Sequence, residues 1–167
     1  MVDKVKAYCK KCDQYFEFYF GLARELEKIT WFLNSIIKTQ KNLLDLNVFI
    51  KTFQEEVSVS NKFFGTNTDL VKEHQEIIDF FSDEEKRLLK VHPLISFDLS
   101  VYPVVFEAQL EQEKRNVFHL AMLGMHFIGK KQYYRTYPGV LYIQFNQEQN
   151  MFTCPNHLEL IAERVNE

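Results

Sequence analysis

Residues 13–38 read DQYFEFYFGLARELEKITWFLNSIIK, and the assignment of this run decides the fold. Tyr15, Tyr19, Leu22, Leu26, Ile29, Leu33 and Ile36 recur at gaps of four and three, which places them on one stripe of a helix. Phe16, Phe18, Phe20, Trp31 and Phe32 widen the apolar surface beyond a narrow seam. The spacing therefore predicts a largely buried helix from Asp13 to Lys38, with Asp13 in a capping or first-turn position. Gly21 lowers local helix propensity without ending the pattern.

Working outward, the same period continues. Leu43, Leu46, Ile50, Phe53, Val57, Ser60 and Phe64 again run at three and four, and Gly65-Thr-Asn-Thr supplies a break. A third helix is predicted from Asp69 to Phe81, with Leu70, His74, Ile77, Ile78 and Phe81 inward. Ser82-Asp-Glu-Glu85 has capping-box spacing and opens a short helix through Leu88 and Leu89. His92-Pro93 ends it, because proline steers its predecessor out of the helical region. Leu94 to Tyr102 reads as a connector. Pro103 suits the first turn of a final long helix, on which Val117, Leu120, Ala121, Gly124, Phe127 and Ile128 form the apolar face. Tyr137-Pro-Gly-Val140 reads as a turn, Leu141–Phe145 and Met151–Cys154 as a short hairpin, and Leu158 to Val165 as a closing helix.

The two ends carry the strongest chemical signal. Cys9-Lys-Lys-Cys12 and Cys154-Pro-Asn-His157 contain all three cysteines, and each pair has the two-residue gap of a zinc knuckle. Three soft thiolates and an imidazole suit a closed tetrahedral Zn2+ site, which leaves no position for water or substrate. These spacings resemble those of the broad zinc-ribbon class over Tyr8–Cys12 and Leu141–His157. The resemblance implies a structural zinc ion held by Cys9, Cys12, Cys154 and His157.

The expected fold is thus mainly α: a bundle of four or five helices with a short C-terminal β-hairpin. A split zinc-ribbon-like Cys3His site closes the termini. In a single domain spanning 1–167, residues 13–131 form the helical insertion, and 1–12 with 137–167 form the closing unit. Hydrophobic residues make up 46% of the chain, which excludes a disordered composition, and 16 Phe with 8 Tyr predict an aromatic core.

Charge and motifs narrow the function. The net charge of −3 argues against indiscriminate nucleic-acid binding. Locally, however, Lys4, Lys6, Lys10 and Lys11 outnumber Asp3 and Asp13, while Lys130, Lys131 and Arg135 outnumber Glu148. With Tyr133 and Tyr134 interleaved, Lys10, Lys11, Lys130, Lys131 and Arg135 are the candidate contacts to a partner or to DNA or RNA. His74, His119 and His126 lack the repeated ExxH pattern of a di-iron bundle and read as core or boundary residues. No HExxH, phosphate loop or nucleophile elbow is present, so no enzyme is expected. The first nine residues lack a signal-peptide apolar run, and no stretch reaches a membrane-spanning length of about 18 apolar residues. No membrane insertion and a reducing, cytoplasmic or nuclear location follow. The expectation is a zinc-stabilised protein-interaction module, as a viral, virion or transcription-associated adaptor, with homo-oligomers allowed. Sequence-nonspecific nucleic-acid binding is the alternative.

Overall fold

The aromatic run after Cys12 is strand rather than helix. In the computed structural model, residues 2–56, 69–106 and 115–166 are described. β1 (Val2–Cys9) and β2 (Gln14–Gly21) form an antiparallel hairpin in which Val5 pairs with Phe18, Ala7 with Phe16 and Cys9 with Gln14. Successive strand side chains face opposite ways. Phe16, Phe18 and Phe20 accordingly pack on the core that contains Ala7 and Cys9, while Tyr15, Glu17 and Tyr19 take the other face. Phe and Tyr alternate according to which rings can be dry and which keep a wet hydroxyl. Gly21 closes β2 at φ 98°, in the left-handed region that favours glycine.

The helical period regains control only after Arg24. α1 (Glu27–Thr39) buries Ile29, Phe32, Leu33 and Ile36, and Gln40 caps it at φ 55° by donating its N–H to the Ile36 carbonyl. α2 (Leu46–Glu56) follows; residues 57–68, including the expected continuation to Phe64 and the Gly65 break, lie outside the described residues. α3 (Leu70–Phe80) begins at Asp69, whose side chain accepts the N–H groups of Val71 and Lys72. α4 (Asp83–Val91) begins with the expected reciprocal capping box of Ser82 and Glu85.

The remaining chain is β. β3 (Leu94–Phe106) replaces the connector and the start of the expected last helix, and β4 (Phe118–Phe127) replaces its end. Residues 107–114 are outside the described set. In β4, Leu123, Met125 and Phe127 are buried at every second position whereas His126 is exposed, a strand period. Pro103 has no N–H for a ladder, but its carbonyl accepts the N–H of Ile143. β5 (Tyr133–Tyr134), β6 (Val140–Tyr142), β7 (Phe145–Asn146), β8 (Met151–Thr153) and β9 (Leu160–Arg164) complete the set. β9 takes the place of the expected closing helix, since Ala162 lies opposite both Cys9 and Phe152. The expected turn at Tyr137–Val140 is present, with Gly139 at φ 69°.

Among the described residues the architecture is therefore mixed: four helices and a nine-stranded antiparallel sheet ordered β5-β4-β3-β2-β1-β9-β8-β7, with β6 paired to β3. This corrects the mainly-α, all-helical bundle expected from the sequence. Two compact units divide the chain. The strand unit comprises Met1–Arg24, Leu99–Leu123 and Arg135–Glu167, with a core of Ala7, Cys9, Phe18, Val105, Ile143, Phe152, Cys154 and Ala162. The helical unit comprises Glu25–Asp98 and Gly124–Tyr134. Phe32 contacts both Phe49 and Phe81 there, and Lys28 on α1 holds Glu73 and Glu76 on α3. Its Gly124 lies against the Tyr134 ring, where an added Cβ would stand 3.1 Å from the nearest ring carbon. No described helix is long and apolar enough to cross a membrane.

His119, on β4, accepts the Tyr19 backbone N–H at Nε2 over 3.0 Å, so it must be neutral at that nitrogen. Desolvation by burial lowers its folded pKa below the ordinary 6.5. Its contribution to stability is full above the unfolded value of about 6.5 and is lost as the pH falls toward the lower folded value. Urea unfolding of the wild type should thus weaken below pH 6.5 more than that of His119→Gln, which keeps an acceptor but cannot titrate. Parallel curves for the two proteins would contradict this.

Candidate metal centre

Two hairpin tips build the centre. Cys9 is the last residue of β1, and residues 10–13 turn the chain into β2, with Asp13 at φ 53°. Asp13 also receives the Tyr8 hydroxyl, a contact that raises the phenol's pKa to about 12. Asp13 thus completes the turn between strands instead of starting a helix. The second tip joins β8 to β9. The Leu158 N–H donates to the Cys154 carbonyl over 2.8 Å, and the Cys154 N–H donates to the Glu159 carbonyl over 2.8 Å. Leu158 sits at φ 58° to complete that reversal.

Pairing of β1 with β9 sets the tips side by side, with Cys9 opposite Ala162. The donor atoms of Cys9, Cys12, Cys154 and His157 all lie within 4.8 Å of one another. Cys12 Sγ is 3.8 Å from Cys154 Sγ, Cys9 Sγ is 3.6 Å from His157 Nδ1, and Cys154 Sγ is 3.3 Å from His157 Nδ1. A zinc tetrahedron with Zn–S of about 2.3 Å and Zn–N of about 2.0–2.1 Å has edges of about 3.8 Å (S to S) and about 3.5 Å (S to N). The three separations fall on those edges. A disulfide would need sulfurs about 2 Å apart, and all three cysteines are free.

Electrostatics around the sulfurs is uneven. Burial opposes ionisation of Cys9, but the Cys12 N–H, the neighbouring sulfurs and the Lys11 N–H outweigh it and hold the thiol below its ordinary value. Burial dominates at Cys154 and pushes it up to about 12, against the pull of the His157 and Asn156 N–H groups. Neighbouring Cys9 and Cys12 add to that rise. Three thiols this close cannot all ionise readily by themselves. A divalent cation among them removes that conflict, and the donor set is compatible with zinc.

The expected contact residues have diverse partners. Lys11 pairs with Glu159 at 3.0 Å and Lys10 with Glu163 at 3.6 Å, both exposed bridges beside the cluster. Arg135 donates to the Tyr137 hydroxyl over 3.3 Å. Lys130, Lys131, Tyr133 and Tyr134 belong to the helical unit, where Lys130 and Lys131 are exposed and Tyr133 donates to buried Glu85 over 2.8 Å.

Sequence reasoning missed Gln14, Arg115 and Asn156. Asn156 is 3% exposed and donates through Nδ2 to Gln14 Oε1 over 2.9 Å, tying one tip to the other. Its position inside the second knuckle was the available signal. Arg115 donates to the carbonyls of Asn156 and Pro155, a contact that only the folded chain reveals. The chain matches no protein-family model, no curated protein and no solved structure.

Cobalt(II) added to the metal-free chain is expected to give the strong visible bands of a tetrahedral, sulfur-rich site, with one equivalent per chain. Cys154→Ser should abolish or markedly shift them. The weak spectrum of six-coordinate cobalt in the wild type would rule out this donor set as a metal site.

Proposed function

We propose that this chain is a non-enzymatic protein-interaction module whose strand unit is held together by one structural Zn2+ bound through Cys9, Cys12, Cys154 and His157. The carrying observation is that three of the cluster's six separations match the edges of a closed tetrahedron and all four donors lie within 4.8 Å of one another. Four protein donors leave no coordination position for a substrate, so the ion serves architecture. Cys9 and Cys154 are fully buried, so an ion shared by three sulfurs and an imidazole would join the two tips inside the core. Three unpaired cysteines used as ligands support a reducing compartment.

Recognition of a protein partner is supported by rings left half in water on the same unit. Tyr15 is 60% exposed, Phe145 41% and Tyr142 40%. Tyr102 backs Tyr142 and Phe152 backs Phe145, so both rings are presented on packed supports. Aromatic groups of this kind are favoured at protein interfaces. Lys10 and Lys11, by contrast, already face Glu163 and Glu159, which reduces what they offer to phosphate.

Zinc removal is expected to strip hydrogen-exchange protection from β1, β2, β8 and β9 while α1 and α3, which have their own core, keep theirs. Unchanged protection throughout would remove the structural role. For recognition, the zinc-loaded chain should bind single- and double-stranded oligonucleotides no better than a neutral control at low salt. Tight binding that weakens steeply with salt would overturn the protein-partner reading in favour of nucleic acid.

A further inference from the structure

Arg115 is the cation directly engaged with the second knuckle's backbone. It is half-buried, and its Nη1 lies 2.9 Å from the Asn156 carbonyl oxygen and 3.4 Å from that of Pro155. Those two carbonyls belong to particular peptide groups. The peptide from Pro155 to Asn156 carries the Asn156 N–H, and the next carries the His157 N–H. Both peptides lie in the short turn that connects Cys154 to His157, the two donors of this tip. A guanidinium on the oxygen end of a peptide draws electron density away from its N–H end, making the N–H a stronger donor.

We propose that Arg115 is a positioning residue of the metal centre: through the Pro155 and Asn156 carbonyls it orients the two peptides that connect Cys154 to His157. The inference rests on the zinc reading above and extends it to a residue that is not a ligand. Charge supplies the reason. Three thiolates, a neutral imidazole and a divalent ion leave one net negative charge at buried Cys9 and Cys154. Water cannot stabilise that charge there, and unpaired buried charge is costly. The guanidinium compensates it across two peptide groups.

Geometry explains why arginine occupies the position. One nitrogen, Nη1, of a planar and permanently charged guanidinium spans two successive carbonyls and is held in the plane of that group, whereas an ammonium is a compact point charge with no fixed plane. Asn156 is held from its other side by the bond to Gln14, which is opposite Cys9 in the β1–β2 register. The turn carrying Cys154 and His157 is thus fixed from two directions.

The test compares wild type, Arg115→Met and Arg115→Lys by competing a chromogenic chelator for zinc and by recording the sulfur-to-cobalt charge-transfer band of the cobalt(II) proteins. Loss of an outer-shell partner typically weakens metal affinity about 10–100-fold. Arg115→Met should fall in that range with a displaced charge-transfer band, and Arg115→Lys should be intermediate in both. A merely structural arginine would leave the band in place. Wild-type affinity and an unmoved band in Arg115→Met would overturn the proposal while the zinc reading stood. Failure of the wild type to take up zinc would remove both. If Arg115→Met does not fold, Arg115→Lys decides: a band and affinity equal to wild type overturn the proposal, and a shifted band with weaker binding supports it.

Discussion

The strand unit depends on the pairing of β1 with β9. Three residue pairs, Ala7 with Arg164, Tyr8 with Glu163 and Cys9 with Ala162, bring together segments separated by most of the chain. That ladder places the tip of the first hairpin beside the tip of the last, and the Asn156–Gln14 bond joins them directly. Without it the four donors would sit on two unrelated turns. With it, three sulfurs and one imidazole nitrogen come within 4.8 Å of one another.

Such an arrangement is costly without a cation. Burial holds Cys154 un-ionised and its neighbouring sulfurs add to that, while at Cys9 N–H donors and those same neighbours together outweigh burial. The fold meets the problem at several distances: a divalent ion fits at the centre, backbone N–H groups point at the sulfurs, and a guanidinium lies behind them. The aromatic floor completes the design. Phe18 and Phe152 pack with Cys9, Cys154 and Ala162, so the polar centre rests on a dry layer that fixes the strands.

What could be read in the primary structure depended on how local its cause was. The Asp69 cap and the Ser82–Glu85 capping box were legible because each is made by side chains within a few residues of the backbone groups they satisfy. The knuckles were legible because ligand spacing is a local geometric demand. Tyr15 to Phe20 misled because a nearly continuous aromatic run, broken only by Glu17, satisfies periods of both 2 and about 3.6. The separation of Phe16, Phe18 and Phe20 from Tyr15, Glu17 and Tyr19 was the overlooked evidence for a strand. Leu158–Val165 misled differently: Leu, Glu, Ala and Arg are good helix formers, and only pairing with β1 and β8 overrides them.

By itself the sequence determined the four donors, their order of hardness and softness, the helix starts at Asp69 and Ser82, and the aromatic character of the core. Tertiary structure decided that the donors meet, that Arg115 stands behind two of the knuckle peptides, and that strands outweigh helices among the described residues. The physical reason is that strand pairing is non-local. A backbone N–H in β1 cannot be satisfied until β9 arrives, and nothing in either segment's own period announces that partner.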